Sequence, residues 1–249
     1  MTTRLEGVVL KRIPYGDTST IVHVFTREEG IVHLLARGAR SSAQRFGSTL
    51  EPLSHIDLLA RLPHDRDGLG SIHESSHRER YADVKAHAAP LGGALQVVEF
   101  LLALEVKSDA SRPLFHLLIS TLRVLNQPGS REDIAVPTFF IRCAAQLGYP
   151  PKCTREELMR IQEDRAFFAP SNGTFSPEPV PSGLQTERSA ARLFFRFVRE
   201  PFAQLAFRED TVGTVAEASY LVEVYLATHL ERPVPRRVKT VLSQLKGPY

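Results

Sequence analysis

The spacing of apolar residues changes once along this chain, and that change constrains the fold more than any other feature. Up to about residue 80, short runs of β-branched and aromatic residues alternate with turns that contain Gly and Asp, which is typical of β-strands. From Tyr81 onward, apolar residues recur at intervals of three or four, which indicates amphipathic helices. Five short strands at ~8–12-residue spacing favour a small closed barrel. We therefore expect an α+β protein in which a β-barrel precedes a mainly helical domain.

The same change predicts two domains, residues 1–80 and 81–249. Within the second, residues 150–185 lose the helical spacing and are expected to form an irregular insert. Asn172-Gly173 lies between aromatic residues, which favours a hairpin over Phe167–Ser176. Pro113 is expected to start one of the helices, and a later helix is expected from about Thr186 to Phe207.

The sequence offers no sign of export or membrane insertion. It has no apolar run of ~18 residues, and its first residues lack the apolar segment of a signal peptide. Cys143 and Cys153 are the two cysteines, which gives no disulfide framework. We therefore expect a cytoplasmic protein that does not contact membranes.

The string from His73 to His77 matches the HExxH pattern of zinc peptidases. On a helix, the two histidines would share one face and Glu74 would act as general base. The surrounding Gly and Ser residues make a poor helix. On a strand, the two histidines would be ~13 Å apart, at ~3.3 Å per residue. A strand edge is the preferred interpretation and a zinc metallopeptidase at His73 and His77 the less favoured one. P-loop and nucleophile-elbow motifs are missing, so no catalytic residue or cofactor is predicted.

The segment from Ile31 to Leu50 is basic and flexible. It contains three arginines, several Gly and Ser residues and no acidic residue, and two further cations end the first predicted strand. A basic loop beside a barrel is a natural surface for phosphates, although it can also be a solvated loop. The net charge of +3 permits an anionic partner without requiring one. The candidate DNA-binding residues are Lys11, Arg12, Arg37, Arg40 and Arg45.

Several strings in the sequence resemble the bacterial recombination mediator family RecO. The most specific are Phe25-Thr26-Arg27-Glu28-Glu29-Gly30 and Ala36-Arg37-Gly38-Ala39-Arg40, taken together. The resemblance runs in order along nearly the whole chain. The other matching strings are Gly7-Val8-Val9-Leu10-Lys11, Tyr15-Gly16-Asp17, Leu50-Glu51-Pro52, Leu147-Gly148-Tyr149, Tyr225-Leu226 and His229-Leu230.

This resemblance implies an N-terminal OB-fold that binds DNA and a helical C-terminal domain. It further implies a role without covalent chemistry: binding single- and double-stranded DNA, annealing complementary strands without ATP, and helping to load RecA recombinase onto DNA coated by single-strand-binding protein (SSB). The implied partners are RecR and the C-terminal tail of SSB, and the implied location is the cytoplasm, in association with the nucleoid. A helical scaffold that binds proteins without direct DNA contact is the alternative.

Many members of the family carry a four-cysteine zinc knuckle where residues 150–185 lie. Here Cys153 stands near the first ligand position, and Glu156 occupies the place of the paired cysteine. The segment contains no histidine and no second cysteine. Because structural zinc takes four Cys or His ligands, we expect this insert to be metal-free.

The resemblance also implies a binding site for the SSB tail, which ends in acidic residues and an aromatic dipeptide. Such a peptide requires an apolar groove flanked by a cation. Lys107 and Arg142 are the candidate cations for this partner-binding site. The candidate groove walls are Leu101, Leu102, Phe115, Leu118 and Phe139, and for most of them a place in the core is the preferred interpretation.

Overall fold

A computed structural model of the protein describes residues 2–41, 46–63, 68–104, 106 and 108–230. They form two compact units. The first consists of the chain up to Ala82 together with Leu104–His116, and the second of Asp83–Ala103 and the chain from Leu117 onward. The sequence placed all residues after 80 in one helical domain, so the membership of Leu104–His116 in the first unit is a new observation.

The first unit is built on a closed five-stranded barrel. Neighbouring strands pair in the order β1-β2-β3-β5-β4, and β4 pairs back with β1. All pairs are antiparallel except β3 and β5, which are parallel. This confirms the predicted five-stranded barrel. The strands are β1 (Thr2–Tyr15), β2 (Ser19–Thr26), β3 (Gly30–Ala36), β4 (His55–Arg61) and β5 (Gly70–Glu79).

The first strand is much longer than its apolar run, because it pairs with two different strands. Its N-terminal half pairs with β4, with Leu5 opposite Leu58, and its C-terminal half pairs with β2. A β-bulge between Val9 and Lys11 separates the register of the two parts of the β2 ladder. Bulges bend a strand and increase its twist, which helps β1 to serve both sides of the barrel. Val9 and Leu5 point into the buried barrel core.

Residues 104–116 belong to the first unit because they satisfy the backbone at the β2–β3 turn. The Ser111 hydroxyl donates to the Thr26 carbonyl at 2.5 Å and accepts from the Gly30 N–H at 3.1 Å. Phe115 lies with its ring edge-on to Phe25, with 5.8 Å between the ring centroids. Each of these groups is buried, so the contacts stabilise that side of the barrel.

Helices make up most of the remaining described chain. They are α1 (Ala82–Ala86), α2 (Ala88–Leu104), α3 (Ser108–Leu125), α4 (Glu132–Gln146), α5 (Arg155–Arg160), α6 (Arg188–Arg199), α7 (Phe202–Leu205) and α8 (Val212–His229). Two predicted bounds were wrong. Pro113 is the sixth residue of α3 and not its first. The helix predicted up to Phe207 ends at Arg199, and Pro201 separates it from α7.

The insert at residues 150–185 is more regular than the sequence predicted. It contains α5 and a three-stranded sheet in the order β7-β6-β8, formed by β6 (Arg165–Ala169), β7 (Thr174–Ser176) and β8 (Leu184–Glu187). The predicted hairpin is confirmed, since Phe167 pairs with Ser176 across β6 and β7. Glu157 joins helix to sheet: it completes a capping box with Thr154 and also accepts the Phe175 N–H at 3.3 Å.

Aromatic packing holds this insert on the helices of the second unit. The rings of Phe168, Phe175 and Phe194 have centroids 5.1–5.5 Å apart, and Tyr225 of α8 extends the cluster. These rings are almost completely buried. Buried aromatic side chains of this size supply a large share of a small core, so the insert has an apolar source of stability.

Candidate nucleic-acid interface

The basic residues after β3 are tied to the turn between β1 and β2. Arg40 donates from its backbone N–H to the Thr18 carbonyl at 2.8 Å, and from its guanidinium to the Gly16 carbonyl at 2.9 Å. Gly16 has φ = 58°, a conformation that glycine adopts without strain. The two loops therefore present their side chains at the same end of the barrel, and the Arg40 side chain remains exposed there.

Strand register brings a cation and two imidazoles into one row on the outside of the barrel. Lys11 of β1 lies opposite His23 of β2, and His23 lies opposite His33 of β3. Their neighbours Val22, Val24 and Leu34 are buried in the barrel core, so alternation puts the row on the outer surface. The rings of His23 and His33 are in contact, with centroids 4.1 Å apart and planes at 37°.

The next rows on this face are apolar and then polar. Ile13, Ile21 and Leu35 oppose one another across the three strands and are only partly buried. Two residues farther along β1, Tyr15 pairs with Ser19 and is 53% exposed. An exposed aromatic ring beside cations is typical of a surface that takes single-stranded nucleic acid. We call the outer surface of β1 from Lys11 onward, β2 and β3 the cation face.

His23 differs in charge from the cations around it. Burial, the neighbouring His33 and the charge of Lys11 lower the pKa of His23 to about 4. His23 is therefore neutral at neutral pH, and it adds ring surface to the cation face without adding charge.

The predicted DNA-binding residues are distributed around this face. Arg37 and Arg40 are exposed at its loop end, where Arg37 follows the last residue of β3, and Lys11 is exposed in the row of His23 and His33. Arg12 pairs with Val22 and so alternates to the opposite side of the β1–β2 ribbon, although it is also exposed. Arg45 lies outside the described residues.

The opposite side of the barrel has a different chemistry. A groove of about 700 Å³ lies on the outer surface of β1, β4 and β5, and we call this surface the acid face. It is lined by two arginines and four carboxylates, which are Arg4, Arg78, Glu6, Glu28, Asp57 and Glu74. The net negative lining disfavours a phosphate backbone.

Glu6 is the centre of a polar network on the acid face. Its carboxylate contacts His55 Nε2 at 3.0 Å, Arg78 at 3.2 Å and Arg27 at 3.3 Å, and only 16% of the side chain is exposed. Burial alone would raise the Glu6 pKa, but the hydrogen bond from His55 and the charge of Arg78 outweigh it and lower the pKa. Burial lowers the pKa of His55, so the neutral ring donates Nε2–H to Glu6.

The HExxH string lies on strand β5, as the strand-edge interpretation predicted. His73 and Glu74 are exposed, whereas the His77 ring hydrogen-bonds to the Ser48 hydroxyl at 3.0 Å. Among the described residues, no group of three or more His, Cys, Asp or Glu side chains is placed to hold a metal ion. Cys153 is fully buried, and burial raises the pKa of its thiol to about 12, which does not suit a metal-binding thiolate.

Of the two predicted partner-binding cations, the structure describes one. Arg142 of α4 donates its Nε–H to the Phe197 carbonyl at 2.8 Å and a further N–H to the Glu200 carbonyl. Its guanidinium carbon lies 5.4 Å from the centre of the Phe202 ring. Arg142 thus provides hydrogen-bond donors for the carbonyl groups at the C-terminal end of α6, a role the sequence did not predict. Lys107 lies outside the described residues.

Sequence reasoning missed His23, His33 and Tyr15 as members of the candidate interface. The sequence contains these residues, but their common position becomes apparent only when the register between the strands is known. Once the β2–β3 hairpin is aligned on its turn at Gly30, the two histidines must face each other. Composition alone directed attention to arginines, because these form a visible cluster in the sequence.

Comparison with known proteins identifies the family. The family model described as "Recombination protein O N terminal" matches residues 1–81, and "Recombination protein O C terminal" matches residues 89–237. The DNA repair protein RecO of Salinibacter ruber is 26% identical over 246 residues, covering 98% of this chain and 94% of that protein. The RecO protein from a Nocardioides species is 27% identical over 238 residues, covering 93% of this chain and 96% of that protein.

In the described part of the chain, no helix is long and apolar enough to cross a membrane. The two matches together cover most of the sequence, and the chain belongs to the recombination protein O (RecO) family.

Proposed function

We propose that this protein is a DNA repair and recombination mediator that binds single- and double-stranded DNA through the cation face of its barrel. The observation that carries the proposal is the juxtaposition on one face of exposed cations, an exposed tyrosine and a partly exposed histidine pair. OB-folds bind strands with the surface of strands 2 and 3 and the adjoining loops. The family membership supports the same role.

The cations contact phosphates, and so act on any sequence. Arg37, Arg40 and Arg45 form the loop group, and Lys11 lies on the first strand. Arg12 is also a proposed contact, although it lies on the other side of the β1–β2 ribbon. Long side chains at a loop end reach a phosphate backbone without burying charge. Annealing of complementary strands then follows physically, because neutralised strands repel one another less when both are held on basic surface. No covalent step and no cofactor enters this proposal.

The proposal extends to two protein partners and to a cellular role. The protein would assist loading of RecA onto SSB-coated DNA in the cytoplasm, at the nucleoid, together with RecR. Lys107 and Arg142 are the proposed contacts for the acidic SSB tail. Because Arg142 also satisfies the end of α6, its substitution by Gln should be assayed for tail-peptide binding and for thermal unfolding together. Unchanged peptide affinity in folded Lys107→Glu and Arg142→Gln variants would contradict both contacts.

The salt dependence of binding tests the proposed DNA contacts. Single-stranded oligonucleotides of unrelated sequence are titrated at several salt concentrations. Each displaced counterion contributes ~0.7 to the log–log slope for single strands, so the Arg37→Ala/Arg40→Ala/Arg45→Ala variant should lose ~2 units of slope. Affinity should fall similarly for all sequences. An unchanged slope in the folded variant would place DNA elsewhere, first at the C-terminal cations Arg232, Arg236, Arg237 and Lys239, which lie outside the described residues.

Removal of Arg40 has a second effect that requires a control. Its guanidinium also bonds the Gly16 carbonyl, so the variant can loosen the turn between β1 and β2. The contact is exposed and should contribute ~1 kcal/mol or less to stability. Arg40→Lys keeps the charge and is the matched control, since its slope should stay within a few tenths of the wild-type value if phosphate contact is what matters.

A further inference from the structure

We propose that the His23–His33 pair is a contact site for unpaired nucleobases, which makes the cation face favour single-stranded over duplex DNA. The inference rests on the proposed function. To the phosphate contacts of that function it adds a stacking contact with the exposed faces of unpaired bases. Phosphate-binding cations by themselves do not favour single strands, because a duplex carries the higher density of phosphate charge.

The position of the pair on the barrel supports this role. His23 and His33 occupy the two strands, β2 and β3, that form the ligand-binding surface of OB-folds. Lys11 lies directly opposite His23, so a phosphate held by Lys11 places its base near the rings. The partly buried Ile21 and Leu35 continue the apolar surface toward the loop end.

The contact between the two rings and the neutral state of His23 support stacking over phosphate contact. The rings touch at 4.1 Å between centroids, and Lys11 stands beside them, so protonation of His23 is disfavoured. A neutral imidazole has little attraction for a phosphate, but its ring stacks on a base, as aromatic side chains do in single-strand binding proteins. A duplex keeps its bases stacked and paired, and their faces are then out of reach.

The decisive variant is His23→Ala/His33→Ala, with binding followed by fluorescence anisotropy. Stacking on one base typically changes affinity by at least ~5-fold, so affinity for oligo-dT should fall ~5-fold or more. Affinity for a duplex of equal length should change by less than ~2-fold. The log–log salt slope should stay unchanged, because no phosphate contact is lost. His73→Ala, an exposed histidine on β5, is the matched control and should bind like the wild type.

A strand that carries abasic sites isolates the contribution of the bases, since it keeps the phosphates. Wild type and double variant should bind this strand equally, which closes a double-mutant cycle between rings and bases. His33→Phe keeps an aromatic face and should retain single-strand preference, whereas His33→Leu should lose it. These single variants decide the question if the double variant does not fold.

The possible results separate this inference from the proposed function. If the wild type binds DNA with a steep salt dependence and the histidine variants bind oligo-dT unchanged, the base contact is wrong and the phosphate contacts stand. Equal losses on oligo-dT, duplex and abasic strand would also overturn it. If the wild type binds no DNA, the proposed function itself fails.

Discussion

The cation face and the acid face share a strand, yet they carry opposite charge. The N-terminal half of β1 contributes Glu6 to the acid face, and its C-terminal half contributes Lys11 to the cation face. Residues 1–80 as a whole are almost balanced, with eleven Lys or Arg against ten Asp or Glu. Net charge therefore does not show which face of the barrel could attract an anion, whereas the strand register does, because it determines which charged residues share a face.

The two faces also differ in what their charges do. On the acid face, charged groups contact one another: Glu6 binds His55, Arg27 and Arg78, and Asp57 accepts from Arg78 at 2.8 Å. On the cation face, the residue opposite Lys11 is His23, an imidazole and not a carboxylate, and His33 lies opposite His23. Charges that neutralise one another support the fold, and charges of one sign placed together support an external partner.

Charge reversal on the cation face should have the largest effect on DNA binding. Lys11→Glu/Arg37→Glu removes two of the proposed phosphate contacts and adds repulsion. With ~0.7 of salt slope per contact, affinity for a single strand at ~50 mM salt should fall ~50-fold or more. Fluorescence anisotropy measures this directly.

Arg61→Glu is the comparison variant on β4, which is not part of the cation face, and it reverses one charge instead of two. Arg61 is an exposed strand cation on β4. Its reversal should change affinity by less than ~3-fold, because separated surface charges are screened within ~10 Å. Equal losses in the two variants would mean that the faces do not differ in function.

The Glu6 network should contribute to stability and not to DNA binding. Glu6→Gln should lower the free energy of unfolding at pH 7 by ~1–3 kcal/mol, the usual effect of losing charged hydrogen bonds. The folded pKa of Glu6 lies below its ordinary 4.5, so the contribution is present above that pH and is lost as the pH falls through the folded pKa. Urea unfolding at pH 7 and pH 3 should therefore show a difference between variant and wild type that shrinks in acid.

The titration of His55 also lowers the stability of the barrel in acid. Its folded pKa lies below the ordinary 6.5, so protonation below that pH also favours unfolding. Acidification should weaken the barrel from about pH 6.5 downward. If Glu6→Gln lowers the free energy of unfolding by the same amount at pH 7 and at pH 3, the charge of Glu6 contributes nothing to stability.

Neutralising the acid face should have the smallest effect. Asp57→Asn/Glu74→Gln removes two exposed or half-exposed carboxylates and should raise single-strand affinity by no more than ~2–3-fold, through reduced long-range repulsion. The loss of the Asp57–Arg78 ion pair should change stability by ~1 kcal/mol or less. A gain of ~10-fold or more in this variant would instead place DNA beside these carboxylates, in the groove.

The architecture could be predicted from periodicity, but the composition of the faces could not. Alternating apolar residues such as Val22 and Val24 identify a strand whatever its partner is. The meeting of His23 with His33, and the seating of Ser111 on the β2–β3 turn, depend on contacts between residues that the sequence alone does not pair. The role of Arg142 at the end of α6 was hidden for the same reason, since its acceptors lie 55 and 58 residues away.

Amide NMR of the protein titrated with a single-stranded oligonucleotide tests the central claim most directly, because it locates the DNA without any substitution. The account predicts that shifts concentrate at Lys11, His23 and His33 and at the loops around Gly16 and Arg40. The amides of Asp57, Glu74 and Ser76 on the acid face should stay unchanged. Shifts concentrated at those acid-face residues, with β2 and β3 unaffected, would contradict it.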